Sequence, residues 1–428
     1  MQRCDVAIVG GGIAGSALAA TLARAGLDVV VLERQRRFAD HVRGEFLAPW
    51  GVAEAQQLDL HEFLLDAGGC HTTEWVDYGH GTAPEAAERN AIPLDEVVPG
   101  VPGGLNVGHP AACEALATAA TDAGAQLVRG IDGVRATTGT QPRIRYRLDG
   151  TSHELSCRLV VGADGRNSRI RRQAEIPVRG TSVEHFGGGL LVDGLDVAPW
   201  RDFLVIGERA LMLAFPLADG RSRVYLILPE ADAKRYAGQD GAKRFLADAA
   251  ALPVPGPGAF RQAVTVGPCR MYPGGDTWTE HPHTDGLVLI GDAAGHNDPL
   301  IGQGLSLTLR DVRTLSDRLL GTTAWNRGLL ADFGAERNER LRRMRFVAQV
   351  DAALNTAFGS RGRAFRAEAY RRMKEDPSLA MPLWGKVAGP EAVPSGLDVS
   401  EFWRRLAAQG AGERPVLTGG QRHIGGGL

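Results

Sequence analysis

Lysine is nearly absent. The chain of 428 residues carries four, Lys234, Lys243, Lys374 and Lys386, and arginine supplies almost all the remaining positive charge. A mechanism that needs a catalytic lysine has few places to put one. Cysteine is scarce too: Cys4, Cys70, Cys113, Cys157 and Cys269 are scattered and odd in number. No C-x-x-C pair or zinc spacing occurs. That argues against a disulfide framework or a bound metal and points to free thiols in a reducing, cytoplasmic compartment. Long apolar runs are missing, since nothing reaches the ~18 residues a membrane helix needs. An excess of one charge is missing as well. A net charge of −2 and a pI of about 6.6 give no basic surface for nucleic acid.

The N-terminus mimics a secretory signal, with Arg3 before an apolar stretch that ends in Ala17-Leu18-Ala19-Ala20. Asp5 and the glycines from Gly10 to Gly15 break that pattern, so the segment reads as part of the fold. The length allows two or three domains. Val6–Val9, a glycine turn, a helix from Ile13 to Ala25, Gly26 as its stop, and Val29–Leu32 ending at Glu33 form a βαβ unit. Pro110 to Gly124 reads as another helix. Strand-like pieces follow at Gln126–Gly130, Arg143–Leu148 and Leu155–Gly162, with Asp149-Gly150 as a hairpin turn. From Gly180 to about Tyr272 the apolar runs suit a mixed or antiparallel sheet.

Leu305 to Leu320 is helical by pattern, with Leu305, Leu309, Val312, Leu315 and Leu319 on one face. Phe333 to Ala357 reads as a long helix whose Arg337, Arg340, Arg342, Arg343 and Arg345 form a solvated face. The glycines from Gly419 to Gly427 read as a frayed end. The expected class is α/β. A Rossmann-like unit spans 1–71, 107–179 and 273–340. An inserted sheet domain for substrate spans 72–106 and 180–272, and a C-terminal helical region 341–428. No internal repeat is visible.

Gly10, Gly12 and Gly15 fit G-x-G-x-x-G, followed by Ile13 and Ala14 at the helix start. The glycines allow a tight turn, close approach of a pyrophosphate and close helix–strand packing. Glu33 ends the second strand, where an acid accepts both ribose hydroxyls and disfavours a 2′-phosphate; Arg34 follows it. Two further segments separate NAD from FAD. Val160-Val161-Gly162-Ala163-Asp164-Gly165-Arg166 closes an apolar strand with an Asp-Gly turn. Gly291-Asp292-Ala293-Ala294-Gly295-His296-Asn297-Asp298-Pro299-Leu300-Ile301-Gly302-Gln303-Gly304 follows another.

These three segments, in this order over about residues 1 to 350, resemble the fingerprints of the FAD-dependent aromatic hydroxylases, the family of para-hydroxybenzoate hydroxylase. The resemblance implies one FAD. Gly10, Gly12, Gly15 and Glu33 would hold the ADP half, Asp164 the pyrophosphate side and Asp292 the ribityl chain. Pro299, Gly302, Gln303, Gly304 and Leu305 would line the flavin ring, where glycine amides at a helix start favour negative charge on reduced flavin. Arg43 resembles the family arginine that follows the second strand and meets the cofactor. His109 stands where relatives often carry arginine, and Ser306 where they often carry asparagine.

The resemblance further implies transient NADH or NADPH as reductant and dioxygen as co-substrate. One oxygen atom would pass from a flavin hydroperoxide to an aromatic or polyketide-like small molecule. The alternative is a flavin reductase or dehydrogenase of related fold that transfers no oxygen. A third possibility is a protein that only holds FAD or sequesters a small molecule. Halogenation is disfavoured, because every lysine lies outside the fingerprints and no Trp-x-Trp-x-Ile-Pro occurs. For a general base, His296 and Asp298 beside Pro299 are the nearest ionisable groups in the flavin segment; His71, His80 and His185 rank behind them. Trp75, Leu190, Val192, Leu213 and Phe215 are expected as substrate walls. A monomer or homodimer, tailoring or catabolising a metabolite without a membrane partner, completes the expectation.

Overall fold

The computed structural model describes residues 2–42, 44–79, 81–254, 256, 258–407 and 422–423. Arg43, His80 and the glycine-rich end from Gly419 lie outside that set, with the backbone of 422–423 as the one described piece of the tail. The chain opens with β1 (Val6–Val9), α1 (Ile13–Arg24) and β2 (Val29–Glu33). Every residue of both strands is buried, as expected for parallel strands covered on both faces. Gly26 ends the helix with φ 87°, a left-handed turn open to glycine at no steric cost.

The chain continues through α2 (Pro49–Gln57), β3 (Glu74–Tyr78), α3 (His109–Asp122) and β4 (Gln126–Arg129). Next come β5 (Asp132–Thr137), β6 (Arg143–Leu148), β7 (Thr151–Ser156) and β8 (Leu159–Gly162). The single run expected from Leu155 to Gly162 is therefore two strands. β7 pairs with β6 across a hairpin with φ positive at Asp149 (49°) and Gly150 (80°), whereas β8 joins the central sheet beside β1. α4 (Arg169–Gln173) follows, then β9 (Phe186–Asp193), β10 (Arg201–Ile206), β11 (Leu211–Pro216), β12 (Ser222–Leu228), α5 (Gly241–Ala250) and β13 (Val264–Pro273). Two short strands, β14 (His283–Thr284) and β15 (Leu287–Leu289), return to the first sheet.

The central sheet has the order β14-β15-β8-β1-β2-β4, parallel except at the β14 edge. A second sheet runs β13-β9-β12-β11-β10-β3 with Ile92–Pro93 at its far edge, and only β3 and β10 pair in parallel. Its two faces serve different layers. Leu190, Val192, Phe203, Met212 and Val224 pack outward with Phe245 of α5. Leu204, Leu211, Leu213, Phe215 and Ile227 pack inward against the C-terminal helices, with Trp75 beside them. Strand alternation thus turns Leu190 and Val192 to the opposite face from Leu213 and Phe215, so the five expected wall residues do not share one face.

α6 (Gly304–Leu320) buries Leu309, Val312, Leu315 and Leu319. α7 (Arg327–Asn355) is one helix of 29 residues, so the boundary expected at 340/341 falls inside it. Arg337 and Arg340 correct the solvated-face expectation, being only 2% and 3% exposed. Buried arginine needs a carboxylate partner, and Asp311 on α6 provides it. α8 (Gly359–Glu375), α9 (Met381–Ala388) and α10 (Val399–Leu406) complete the inner layer. All five cysteines are free thiols, with Cys4, Cys113 and Cys157 buried. Among the described residues no helix is long and apolar enough to cross a membrane.

Candidate active site

β1, β8 and β15 are parallel neighbours, and each ends in one of the three motifs. Adjacency in the sheet therefore brings segments some 280 residues apart in sequence to one edge. A methyl group at Gly10 would stand 2.4 Å from Ala163 O, and one at Gly15 would stand 1.8 Å from Gly10 O. These positions admit only hydrogen. Gly12 and Gly304 differ: nothing lies within 4 Å of a methyl at either. They face open space at the N-termini of α1 and α6, where backbone amides lack partners within their own helix. Gly291 binds the motifs together, since its methyl position is 3.2 Å from Ala14 Cβ. A cleft at this edge is lined by Asp292, His296, Asn297, Gly304, Leu307 and Thr308.

Glu33 is buried at the end of β2 and accepts hydrogen bonds from Gly11 N and Gln35 N, both at 2.6 Å. Asp292 keeps 28% of its side chain accessible, 3.1 Å from Arg166 Nε. Asp164 abuts the Gly10 turn through its backbone, but its carboxylate turns inward and accepts from Ser168 Oγ (2.5 Å), Arg169 N (2.6 Å) and Ile170 N (3.2 Å). Ile13 is partly accessible and Arg34 is exposed at the rim. His109 opens α3, with Nδ1 3.7 Å from Cys113 Sγ. Together the donor set fits FAD: open amides for the pyrophosphate, an acid at the second strand end for ribose, and Asp292 for the ribityl hydroxyls.

The flavin-lining segment is held by a buried polar cluster. Asp298 Oδ1 accepts Leu300 N (3.0 Å) and lies 3.1 Å from His185 Nε2, while Oδ2 accepts Gly275 N (2.8 Å). Burial alone would raise the Asp298 pKa; the His185 hydrogen bond and charge and the backbone amides outweigh it and hold the carboxyl below its usual range. Asp276, buried beside Asp298, is pushed up to about 7. Asp298 thus caps the turn at Pro299 with three donors on its oxygens, a weak arrangement for a general base. His296 makes a 2.7 Å contact from Nδ1 to Thr277 Oγ1. Burial, then repulsion by Arg166, lowers it to about 4, far from the operating pH a base requires. Gln303 turns inward as well: Oε1 accepts Trp50 Nε1 (2.8 Å), and Nε2 donates to Ile301 O (2.6 Å) and Lys386 O (2.8 Å). Gly302 is left-handed at φ 64°, and Leu305 is partly accessible at the start of α6.

Several supporting residues escaped the sequence reading. Asp311 Oδ2 accepts Gly291 N and Arg337 Nε at 2.8 Å each. Arg337 donates to the carbonyls of Gly291, Ala294 and Gly295, each at 3.1 Å. Arg171 Nη1 donates to Ala293 O at 2.7 Å. Two guanidinium groups thus hold the 291–295 turn from below. Glu45, fully buried and pushed up to about 7 by burial, accepts Arg223 Nε (3.0 Å) and Tyr225 Oη (2.5 Å). Phe46 stacks on Phe215 at 5.4 Å between centroids, and Trp75 tilts against both at 5.8 and 6.1 Å. Phe46 Cδ1 is 3.4 Å from a methyl position at Gly302, so this aromatic wall reaches the flavin segment.

A family model described as FAD binding domain matches residues 3–346. Squalene epoxidase erg1 of Aspergillus fumigatus is 26% identical over 424 residues, covering 92% of this chain and 82% of that protein. Among solved structures, p-nitrophenol 4-monooxygenase PnpA from Pseudomonas putida superposes with a TM-score of 0.73 at 17% identity, over 91% of this chain and 99% of its own. CmlS, a flavin-dependent halogenase, superposes with a TM-score of 0.72 at 19% identity, over 95% of this chain and 76% of its own. At these identities the structural likeness shows the fold.

Proposed function

The chain belongs to the FAD binding domain family and is an FAD-dependent monooxygenase, and from that premise we propose that NADH or NADPH reduces it and that its substrate is an aromatic or polyketide-like small molecule. The observation that carries the reading is the convergence of three motifs on the ends of β1, β8 and β15. FAD supplies the electron transfer and the activation of dioxygen when bound. The protein's own residues bind, orient and exclude water. The amides at Gly12 and the start of α1 receive the pyrophosphate. Glu33 would accept ribose hydroxyls, and Asp292 would accept those of the ribityl chain. The amides of Gly302 to Leu305, backed by the α6 dipole, favour negative charge at the ring.

In this reading residues 72–106 and 180–272 form the substrate half. Phe46, Trp75 and Phe215 present an aromatic wall that suits a planar ring and keeps water from the reacting edge. The names of two relatives, an epoxidase and a nitrophenol monooxygenase, are compatible with oxygen transfer to electron-rich carbon.

The experiment is incubation of the FAD-loaded protein with NADH or NADPH, a metabolite panel and isotopically labelled dioxygen. The expected result is pyridine nucleotide oxidation stimulated by one ligand and a product heavier by a single labelled oxygen atom. Reduction of a ligand in the absence of oxygen would favour a reductase. A protein that neither reductant bleaches anaerobically, with or without ligand, would be an FAD-holding protein instead.

A further inference from the structure

Of the four lysines, Lys386 is the buried one; Lys234, Lys243 and Lys374 are exposed. It sits on α9 with Nζ 2.6 Å from Asp351 Oδ1 of α7 and 5.8 Å from the centroid of the Trp75 ring. Gln303 Nε2 donates to its backbone carbonyl, so the lysine that the sequence leaves far from the fingerprints stands directly behind the flavin-lining segment. The wall beyond it is continuous: Trp75 meets Phe46 and Phe215, and Phe46 meets Gly302. Asp77 accepts Trp75 Nε1 at 2.7 Å, and Tyr370 of α8 stands near both Asp77 and Asp351. Trp75, Asp77, Tyr225 and Tyr370 lie between the sheet and the helices and keep part of their surface accessible.

Burying an ammonium costs several kcal/mol of desolvation, and apolar residues of the same volume are commonly neutral or stabilising in its place. A fold that had only to enclose a hydrocarbon would gain nothing from Lys386. Burial would lower the lysine pKa, but Asp351 and Asp77 outweigh it and keep the group protonated. An ammonium has three N–H donors. Among the described residues its ion-pair partner is Asp351, and the Trp75 ring stands on a second side. Donor capacity is left on an ammonium whose side chain keeps 11% of its surface accessible.

We propose that Lys386, braced by Asp351, is a specificity-determining residue that receives an acidic oxygen (phenol, enol or carboxylate) of an aromatic substrate lying along Trp75, Phe215 and Phe46. The assignment rests on the flavoenzyme reading above and narrows its substrate class, setting the site apart from one for a hydrocarbon polyene.

The test is binding to the FAD-loaded protein, read by tryptophan quenching and by the flavin absorbance spectrum. Two probes share one ring system: 1-hydroxy-2-naphthoate carries acidic oxygens and 2-methoxynaphthalene carries none. The wild type should bind the acidic probe ten- to a hundredfold more tightly, about what a charge-assisted hydrogen bond supplies. Lys386→Met should abolish that preference and leave the neutral probe unchanged, and Lys386→Arg should keep part of it. The double variant Lys386→Met with Asp351→Asn removes both charges, leaves no unpaired buried carboxylate, and should behave as the single variant does. Equal binding of the two probes by the wild type, binding of neither, or a preference that survives in the methionine variants overturns the proposal. Loss of the preference in a protein that makes no labelled product would leave this assignment standing and overturn only the monooxygenase reading.

Discussion

Single residues divide into those that motif spacing announces and those that only the folded chain reveals. Gly10, Gly12, Gly15, Glu33 and Asp292 stood out because they fall in short motifs of fixed spacing beside apolar runs. Arg337 did not. Its partners Gly291, Ala294, Gly295 and Asp311 lie 26 to 46 residues upstream, and in sequence it is one more arginine in a charged helix. His296 and Asp298 were visible as residues, but burial and local donors set their proton affinity and neither is readable from a turn. Arg337→Met removes three carbonyl contacts and leaves Arg340 as the remaining guanidinium on Asp311. Breaking a buried ion pair of this kind costs about 3–5 kcal/mol. Urea denaturation should show a loss of that size, and the FAD dissociation constant should rise with it as the 291–295 turn loosens. A variant within about 0.5 kcal/mol of the wild type would show that the turn stands without its arginine.

At the level of elements, the βαβ unit, α3 and α6 followed from periodicity and capping residues. The misreadings occurred where one apolar run serves two sheets, as at Leu155 to Gly162, and where alternation fixes a face but not what covers it, as at Leu190 and Leu213. The two glycine types in the first turn can be separated by experiment. Gly15→Ala places a methyl against Gly10 O and should destabilise the protein even without cofactor, by more than about 1 kcal/mol. Gly12→Ala meets nothing in the protein. As a helix N-cap change it should cost no more than about 1 kcal/mol of stability. Its methyl would nevertheless intrude on a pyrophosphate held at α1, so FAD affinity should fall at least about tenfold. Thermal melts of the apoprotein and flavin fluorescence titrations measure the two effects. An unchanged FAD affinity for Gly12→Ala would move the phosphate elsewhere.

Across the whole molecule, two buried carboxyls act as struts between the layers. Glu45, in the loop before Phe46, meets Arg223 and Tyr225 of the second sheet. Asp202 of β10 accepts from Thr72 Oγ1 (2.5 Å) and Asn106 Nδ2 (2.7 Å). Burial pushes both up to about 7. A folded pKa above the unfolded value of about 4 means that the folded state prefers the proton. The stabilisation is complete below about pH 4 and is lost as pH rises through about 7. Urea midpoints should therefore decline between about pH 4 and 7 and level off above, and Glu45→Gln or Asp202→Asn should flatten the decline; parallel profiles for variants and wild type would refute it. This long-range wiring was the part least readable in advance, because its partners lie up to 180 residues apart. The thiols form another molecule-wide pattern. Burial raises Cys70 and Cys269 to about 11 and Cys157 to about 12, and lifts Cys4 further still. At a pKa of about 11, only about one thiol in ten thousand is ionised at neutral pH, and peroxide attacks the ionised form. A flavoenzyme that wastes reducing equivalents makes hydrogen peroxide in its own interior. These cysteines are the kind such an enzyme can keep through many unproductive turnovers.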